Sequence, residues 1–248
     1  DHRDLHSFPT RRSSDLKPSR MLRVFKPALV VLGFAAIFSA CEKEYSTENG
    51  NDPGTGPIGG CKSCTYQPWC DGSSYTYIDT SAGSATTRNG DIDISGDTTI
   101  DGKIYSVTLT NGNRSYHNCT NGVTTVIIYE STTPGAPPEK LVSTFLKEND
   151  AVGATWTDVN PTGTGQNIVF EYEIMSKGGS RTVLGVTYND VIHVKQTSSI
   201  EVPIFGLLET SVTDYFYARD IGLIETEIFE SLTGTQILHS VLQSYNIP

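Results

Sequence analysis

From Ser74 onward, apolar and polar residues alternate along most of the chain. SYTYIDT alternates, and GDIDISG sets Ile92 and Ile94 against Asp91 and Asp93. A period of two puts successive side chains on opposite faces of a strand with one face buried. Asp101-Gly102 interrupts TTIDGKIYSVTLT, and Thr120-Asn121-Gly122 separates RSYHNC from VTTVIIYE. Asp-Gly and Asn-Gly accept the positive φ of tight hairpin turns, so two hairpins are predicted here. TTPGAPP reads as a loop. KLVSTFL, AVGATWTDV and NIVFEYEIM follow, then RTVLGVTYNDVIHV with a strand, glycine, strand layout. VTDYFYA, GLIETEIFE and ILHSVLQSYNI complete the series. IEVPIFGLLETSV is ambiguous between a bent strand and a segment holding a helical turn. Sustained helical periodicity is missing. About eleven strand candidates at intervals of roughly 8 to 15 residues predict an all-β fold. The expected form is an antiparallel β-sandwich or barrel-like curved sheet of about 9–11 strands, with little helix apart from a signal peptide. TIDGKIYSVTL and TVLGVTYNDVIHV echo one another, which suggests two similar hairpins in one sheet.

The alternation does not extend to the N-terminal part. Arg23 and Lys26 precede an uncharged, mostly apolar run from Ala28 to Ala40. That run is shorter than the roughly twenty residues a spanning helix needs. A positive start, an apolar middle and small residues before Cys41 are the layout of a secretory signal. CEKEYSTENGNDPGTGPIGG, residues 41–60, has little to bury and reads as a tether. Its Gly54, Gly56 and Gly59 have dinucleotide-fingerprint spacing, but no strand precedes them and no helix follows.

FSAC resembles the lipobox of bacterial lipoproteins, with Phe38 in place of the more usual Leu. The resemblance implies that Cys41 is acylated and becomes the mature N-terminus. DHRDLHSFPTRRSSDL, residues 1–16, resembles a translated adapter of short-read sequencing libraries. Residues 1–20 are therefore expected to be non-native adapter and upstream codons, with Met21 as the start. The expected organisation is signal peptide 21–40, tether 41–60 and one β domain 61–248, led by a Cys-rich segment 61–73.

This division changes the charge. The whole chain carries −10, but its first forty residues hold 7 Lys or Arg and 3 Asp or Glu. The remainder has 11 basic and 25 acidic residues, a formal charge of −14. So acidic a body does not track nucleic-acid phosphates or anionic head groups by charge.

Four cysteines follow Cys41: Cys61, Cys64, Cys70 and Cys119. An even number in an exported chain predicts two disulfides, with three pairings open. The same cysteines with His117 could supply zinc ligands, but the spacing is irregular for a finger or ribbon. A redox CxxC at Cys61 and Cys64 would need a helix N-terminus, and Gly59-Gly60 and Pro68 flank it instead. For calcium, Asp91, Asp93, Ser95 and Asp97 lie in DIDISGD, which matches the opening of an EF-hand loop. Gly102 stands where the closing Glu would be.

After the signal, G-x-S-x-G, H-E-x-x-H and S-x-x-K are all missing. His193 and His239 sit between alternating aliphatics, at strand-surface or core-rim positions. Glu171 with Glu173, and Glu225 with Glu227, share strand faces, which are ordinarily solvated. Tyr75 with Tyr77, and Tyr215 with Tyr217, also share faces, as core packing or as platforms for a sugar. Trp69 and Trp156 add two large rings. Asp97 to Thr99 resembles the O-glycosylation sequon of Bacteroidota. No cofactor is expected.

The lipobox, the acidic tether and the motifs AVGATWTD, TVLGVTYNDVIHV and YFYARDIGLIETEI resemble an uncharacterised lipoprotein family of the Bacteroidota. The resemblance covers most of residues 21–248 and implies envelope localisation and a β fold. The expected function is a non-enzymatic lipoprotein anchored through Cys41 to the outer membrane, on its periplasmic or cell-surface side. It would bind a small-molecule or protein ligand, or serve a structural role, and no nucleic acid. A carrier holding an apolar molecule in a concave sheet is the alternative. A carboxylate-dependent hydrolase is the third.

Overall fold

The computed structural model describes residues 64–69, 72–81, 84–110, 112–130, 138–162 and 165–248, with the side chains of 89–97 left aside. Cys41, Cys61 and Cys70, with the proposed signal and tether, lie outside the described residues.

Twelve strands follow one another. They are β1 Ser74–Ser81, β2 Ser84–Ile100, β3 Lys103–Thr110, β4 Asn113–Thr120, β5 Val123–Glu130 and β6 Glu139–Lys147. The second half comprises β7 Thr155–Pro161, β8 Asn167–Val183, β9 Val186–Val202, β10 Gly206–Ala218, β11 Gly222–Glu230 and β12 Gln236–Asn246. Among the described residues there is no helix. The all-β, antiparallel expectation holds, with twelve strands instead of 9–11. One difference is β2, which runs for 17 residues. Its first part, SATTRNG, holds no large apolar residue and carries no alternation to read.

Each strand pairs with its chain neighbours, and β1 pairs with β12, giving the order β6-β5-β4-β3-β2-β1-β12-β11-β10-β9-β8-β7. Only β6 and β7 share no backbone ladder. The sheet therefore curls almost into a barrel without closing it. In an up-and-down sheet, alternate connections share an end. The β2–β3, β4–β5, β6–β7, β8–β9 and β10–β11 turns mark one end, here the floor. The other connections mark the opposite end, the rim.

Asp101-Gly102 and Asn121-Gly122 make the anticipated turns, with φ of 51° and 77°, and 54° and 77°. Paired positive φ values match the right-handed twist of the flanking strands. Leu184-Gly185 turns the same way, with φ of 48° and 82°. The echoing segments are thus two like hairpins in one sheet. The ambiguous IEVPIFGLLETSV is the rim tip of the β9–β10 hairpin.

Irregular pairing between Ile174 and Ser180 bends the long β8–β9 hairpin. Its far half lies across the outside of β10 to β12. Val183, Tyr188 and Val191 pack there with Phe216, Ala218, Ile224 and Val241. The Arg181 guanidinium stands 3.9 Å over the Phe216 ring. This second layer gives the molecule its sandwich-like character. A separate buried cluster joins Trp156, Phe170, Tyr172, Ile174, Ile192, Val194 and Tyr217.

The β6–β7 seam is closed by side chains. Asn160 Oδ1 accepts from Val142 N at 2.7 Å, and Asn160 Nδ2 donates to Val142 O at 2.9 Å. Asp158 Oδ2 accepts from Thr144 N at 2.5 Å, and Trp156 Nε1 donates to Thr144 O at 2.6 Å. Residues 156, 158 and 160 share one face of β7, two apart. Their partners on β6 are also two apart. Four backbone groups of an edge strand are satisfied this way, which blunts an edge otherwise free to pair.

Candidate functional site

The inner face of the curled sheet surrounds a cavity of about 420 Å³. It extends from Trp69 at the floor to Arg114 and Ile200 near the rim. Tyr77, Phe145, Phe170, Tyr215 and Ile228 supply much of its wall. These side chains point inward because they occupy alternate positions of strands whose other face is outside.

The Cys-rich lead-in segment closes the floor. Cys64 is disulfide-bonded to Cys119 at the end of β4, with the Cα atoms 5.8 Å apart. Tyr66 N donates to Glu148 Oε2 at 3.0 Å, and Tyr66 OH donates to Asp190 Oδ1 at 2.7 Å. Asp220 N donates to Thr65 O at 2.7 Å, and Tyr75 OH donates to Pro68 O at 3.2 Å. These contacts bring three floor connections and the starts of β1 and β9 onto one plug.

Trp69 of the plug meets His117, with ring centroids 4.3 Å apart. Burial pulls the His117 imidazole down to about 3, so the ring is neutral at physiological pH. Its Nε2 lies 2.9 Å from Ser115 Oγ. Gln67 Oε1, Trp69 Nε1 and His117 Nδ1 are buried without a hydrogen-bond partner among the described residues. Ser115 and His117 have the residue types of a nucleophile and base. Among the described residues no carboxylate bonds His117 Nδ1, the contact that orients the base in a hydrolytic triad.

Higher in the wall, Asp79 and Arg88 neutralise each other. Arg88 Nε lies 2.8 Å from Asp79 Oδ2, and Ser240 Oγ donates to Asp79 Oδ1 at 2.6 Å. Gln196 is held between Tyr172 OH at 2.8 Å and Tyr215 OH at 3.0 Å. Burial raises the pKa of Tyr77 and Tyr215, so both stay protonated. Glu130 lines the rim, where burial pushes its carboxyl up. The wall below it combines aromatic and aliphatic faces with internally bonded polar groups. Such a wall suits an apolar or amphipathic molecule.

Outside the sheet, Glu225, Glu227 and His239 bring potential ligand atoms within 4.8 Å of one another. Arg181 already pairs with both carboxylates: Nε is 2.5 Å from Glu225 and Nη2 is 3.3 Å from Glu227. His239 Nε2 lies 2.8 Å from Glu225 Oε1. Burial raises the Glu225 carboxyl, but Arg181 and His239 outweigh it and hold the pKa below the ordinary value. The group is an ion-pair network on the outer face, its two carboxylates already matched by the guanidinium and the imidazole.

Several sequence expectations meet here. The Cys64–Cys119 bond is one of those the cysteines could form and takes two residues from any zinc set, while Cys61 and Cys70 lie outside the described residues. It also excludes a Cys61–Cys64 redox pair. Asp91, Asp93, Ser95 and Asp97 lie in β2, and their side chains lie outside the described residues. Tyr75, Tyr77, Tyr215 and Tyr217 line the cavity together. Glu171 and Glu173 are exposed, as a solvated face predicts. His193 points outward onto Asp214 at 2.7 Å. Sequence reasoning missed Asp79 and Arg88. The signal was available for Asp79, which follows Tyr75 and Tyr77 at spacing two and so shares their inward face.

No protein-family model matches the chain, and no curated protein matches it. Two solved structures are similar in outline. One, assigned as a lipoprotein of Parabacteroides distasonis, has a TM-score of 0.47 and 14% identity over 75% of this chain and 100% of that one. The other, assigned as an exported protein with a YmcC-like fold from Bacteroides fragilis, has a TM-score of 0.43 and 13% identity over 71% of this chain and 96% of that one. Likenesses this distant carry no conclusion about what the present chain does.

Proposed function

We propose that this chain is an envelope lipoprotein, acylated at Cys41 and held at the outer membrane. Its curled sheet carries a small apolar or amphipathic molecule, as a carrier and not a catalyst. The supporting observation is the cavity of about 420 Å³, which falls within the usual range for small-molecule sites. Its wall is rich in aromatic and aliphatic carbon, and the Asp79–Arg88 ion pair within it is internally neutralised. Neither feature calls for a charged ligand. The tether and the formal charge of −14 after residue 40 suit a soluble body held near a membrane.

Thr213 is buried and lines the cavity, so Thr213→Trp fills it from the wall. The purified protein should enhance the fluorescence of an uncharged apolar dye such as N-phenylnaphthylamine. The variant, with an unchanged circular dichroism spectrum, should lose that enhancement. Equal dye binding by the two proteins would remove the cavity from the reading. Palmitate labelling of the protein and of Cys41→Ala tests the anchor separately, and equal labelling would exclude it.

A further inference from the structure

The rim carries an apolar projection that no packing explains. At the β9–β10 tip Ile204 is 101% exposed and Phe205 86%. Leu207 and Leu208, just beyond, are also exposed. In the neighbouring β11–β12 turn Leu232 is 90% exposed. Ser231 N donates to Thr210 O at 3.2 Å, and Ser231 Oγ donates to Glu209 Oε1. These bonds join the β11–β12 turn to the strand that leads from the tip, so Leu232 adds exposed apolar surface beside β10. Ile204 also sits at φ 77°, a region that β-branched residues avoid. Two costs therefore coincide at this tip: apolar surface in water and a strained backbone. Patches of this kind mark interaction surfaces.

We propose that this tip inserts into the surface of a lipid bilayer with zwitterionic head groups. Three observations favour a bilayer over a rigid partner. The patch is convex: it projects from a hairpin turn and offers no groove. Side chains of this type bury readily in the boundary between head groups and acyl chains. The charge beside it selects the lipid. Glu201, Glu209 and Glu230 flank the tips, and between residues 200 and 238 the only Lys or Arg is Arg219, at the floor end. Anionic head groups would be repelled, while zwitterionic ones would not.

Reach is the third observation. Cys64 lies 23 residues after Cys41. At about 3.3–3.6 Å per residue, an extended tether of that length reaches about 76–83 Å. β10 has 13 residues and spans about 43 Å from rim to floor. A tether leaving the floor can therefore run the height of the sheet, so the rim can meet the membrane that holds the acyl group. The inference uses the proposed anchor at Cys41 but not the carrier reading. If both hold, a ligand can pass between bilayer and cavity at the rim without crossing open water.

The test uses the full acylated protein reconstituted in vesicles of phosphatidylcholine and phosphatidylethanolamine. Phe205→Trp places an indole at the tip, and Val152→Trp places one in the exposed β6–β7 connection at the floor. Lipids brominated along the acyl chain should quench the tip indole strongly and leave the floor indole unquenched. Phosphatidylglycerol should weaken the effect, and added salt should restore it. Ile204→Asn with Phe205→Ser should lower vesicle affinity of the unacylated full chain by about tenfold or more. Asn tolerates a positive φ, so this variant should fold at least as well, and its dye binding should be unchanged. Equal quenching at both positions would overturn the proposal. So would a concentration-dependent blue shift of the tip indole without vesicles, which would assign the patch to a second copy of the chain. A failure of dye binding with tip quenching intact would overturn only the carrier reading.

Discussion

Asn160 offers the sharpest test of how the sheet closes. It is 3% exposed, and both ends of its amide bond the backbone of Val142. Asn160→Ala removes both bonds and leaves Val142 N–H and C=O without their partners. Each buried backbone group left unpaired costs about 1–3 kcal/mol. Val142 is only half-buried, so water can recover part of that loss. The expected destabilisation is about 2–4 kcal/mol, with an unchanged dependence on urea because the same surface unfolds. Asn160→Asp keeps an acceptor for Val142 N but turns a carboxylate oxygen toward Val142 O. It should match or exceed the alanine loss at pH 7 and recover in acid, when the carboxyl can donate again. Urea titration gives the stability, and hydrogen exchange at the Val142 and Thr144 amides localises it. Val159→Ala, on the exposed face of the same strand, should change stability by about 0.5 kcal/mol or less. If Asn160→Ala falls within that same margin and exchange at Val142 does not rise, the seam does not hold the sheet closed.

Other outcomes follow from the floor and the turns. His117 titrates near 6.5 when unfolded and at about 3 when folded, so the unfolded chain takes up the proton first as pH falls. Its stabilising contribution is full above pH 6.5 and declines toward pH 3, by about 1–2 kcal/mol at pH 5; His117→Phe should flatten urea midpoints over this window. The Cys64–Cys119 bond spans 55 residues, and cross-linking such a loop stabilises by about 4 kcal/mol. Cys64→Ser with Cys119→Ser should lower the urea-derived stability by that order, and an unchanged midpoint would contradict it. With Cys41 acylated as proposed, peptide mapping of the native chain should show Cys61 joined to Cys70. Leu184 holds φ 48° in a turn that favours Asn before Gly. Leu184→Asn should raise stability by about 1 kcal/mol in the same titration, because an ordinary side chain resists that conformation.

The sequence by itself determined the element type, because a period of two is local and needs no partner to be read. The same locality made the Asp101-Gly102 and Asn121-Gly122 turns legible, since two residues set their backbone. Phase along a strand was legible too: Tyr75 and Tyr77 share a face, as do Tyr215 and Tyr217. Which face was inside was not, because that depends on how the sheet curls. Asp79 looked like an ordinary polar position until Arg88 and Ser240 came beside it inside the wall. SATTRNG had no alternation, and pairing with β1 draws it into a strand. The cysteine pairing, the plug and the cavity all join residues far apart in the chain, such as Cys64 with Cys119 and Tyr66 with Asp190. The seam was hidden for the same reason. Trp156, Asp158 and Asn160 are unremarkable at spacing two until the edge of β6 lies beneath them. Tertiary structure alone decided these features, because long-range contacts arise from closing the sheet and leave no periodic trace in either segment.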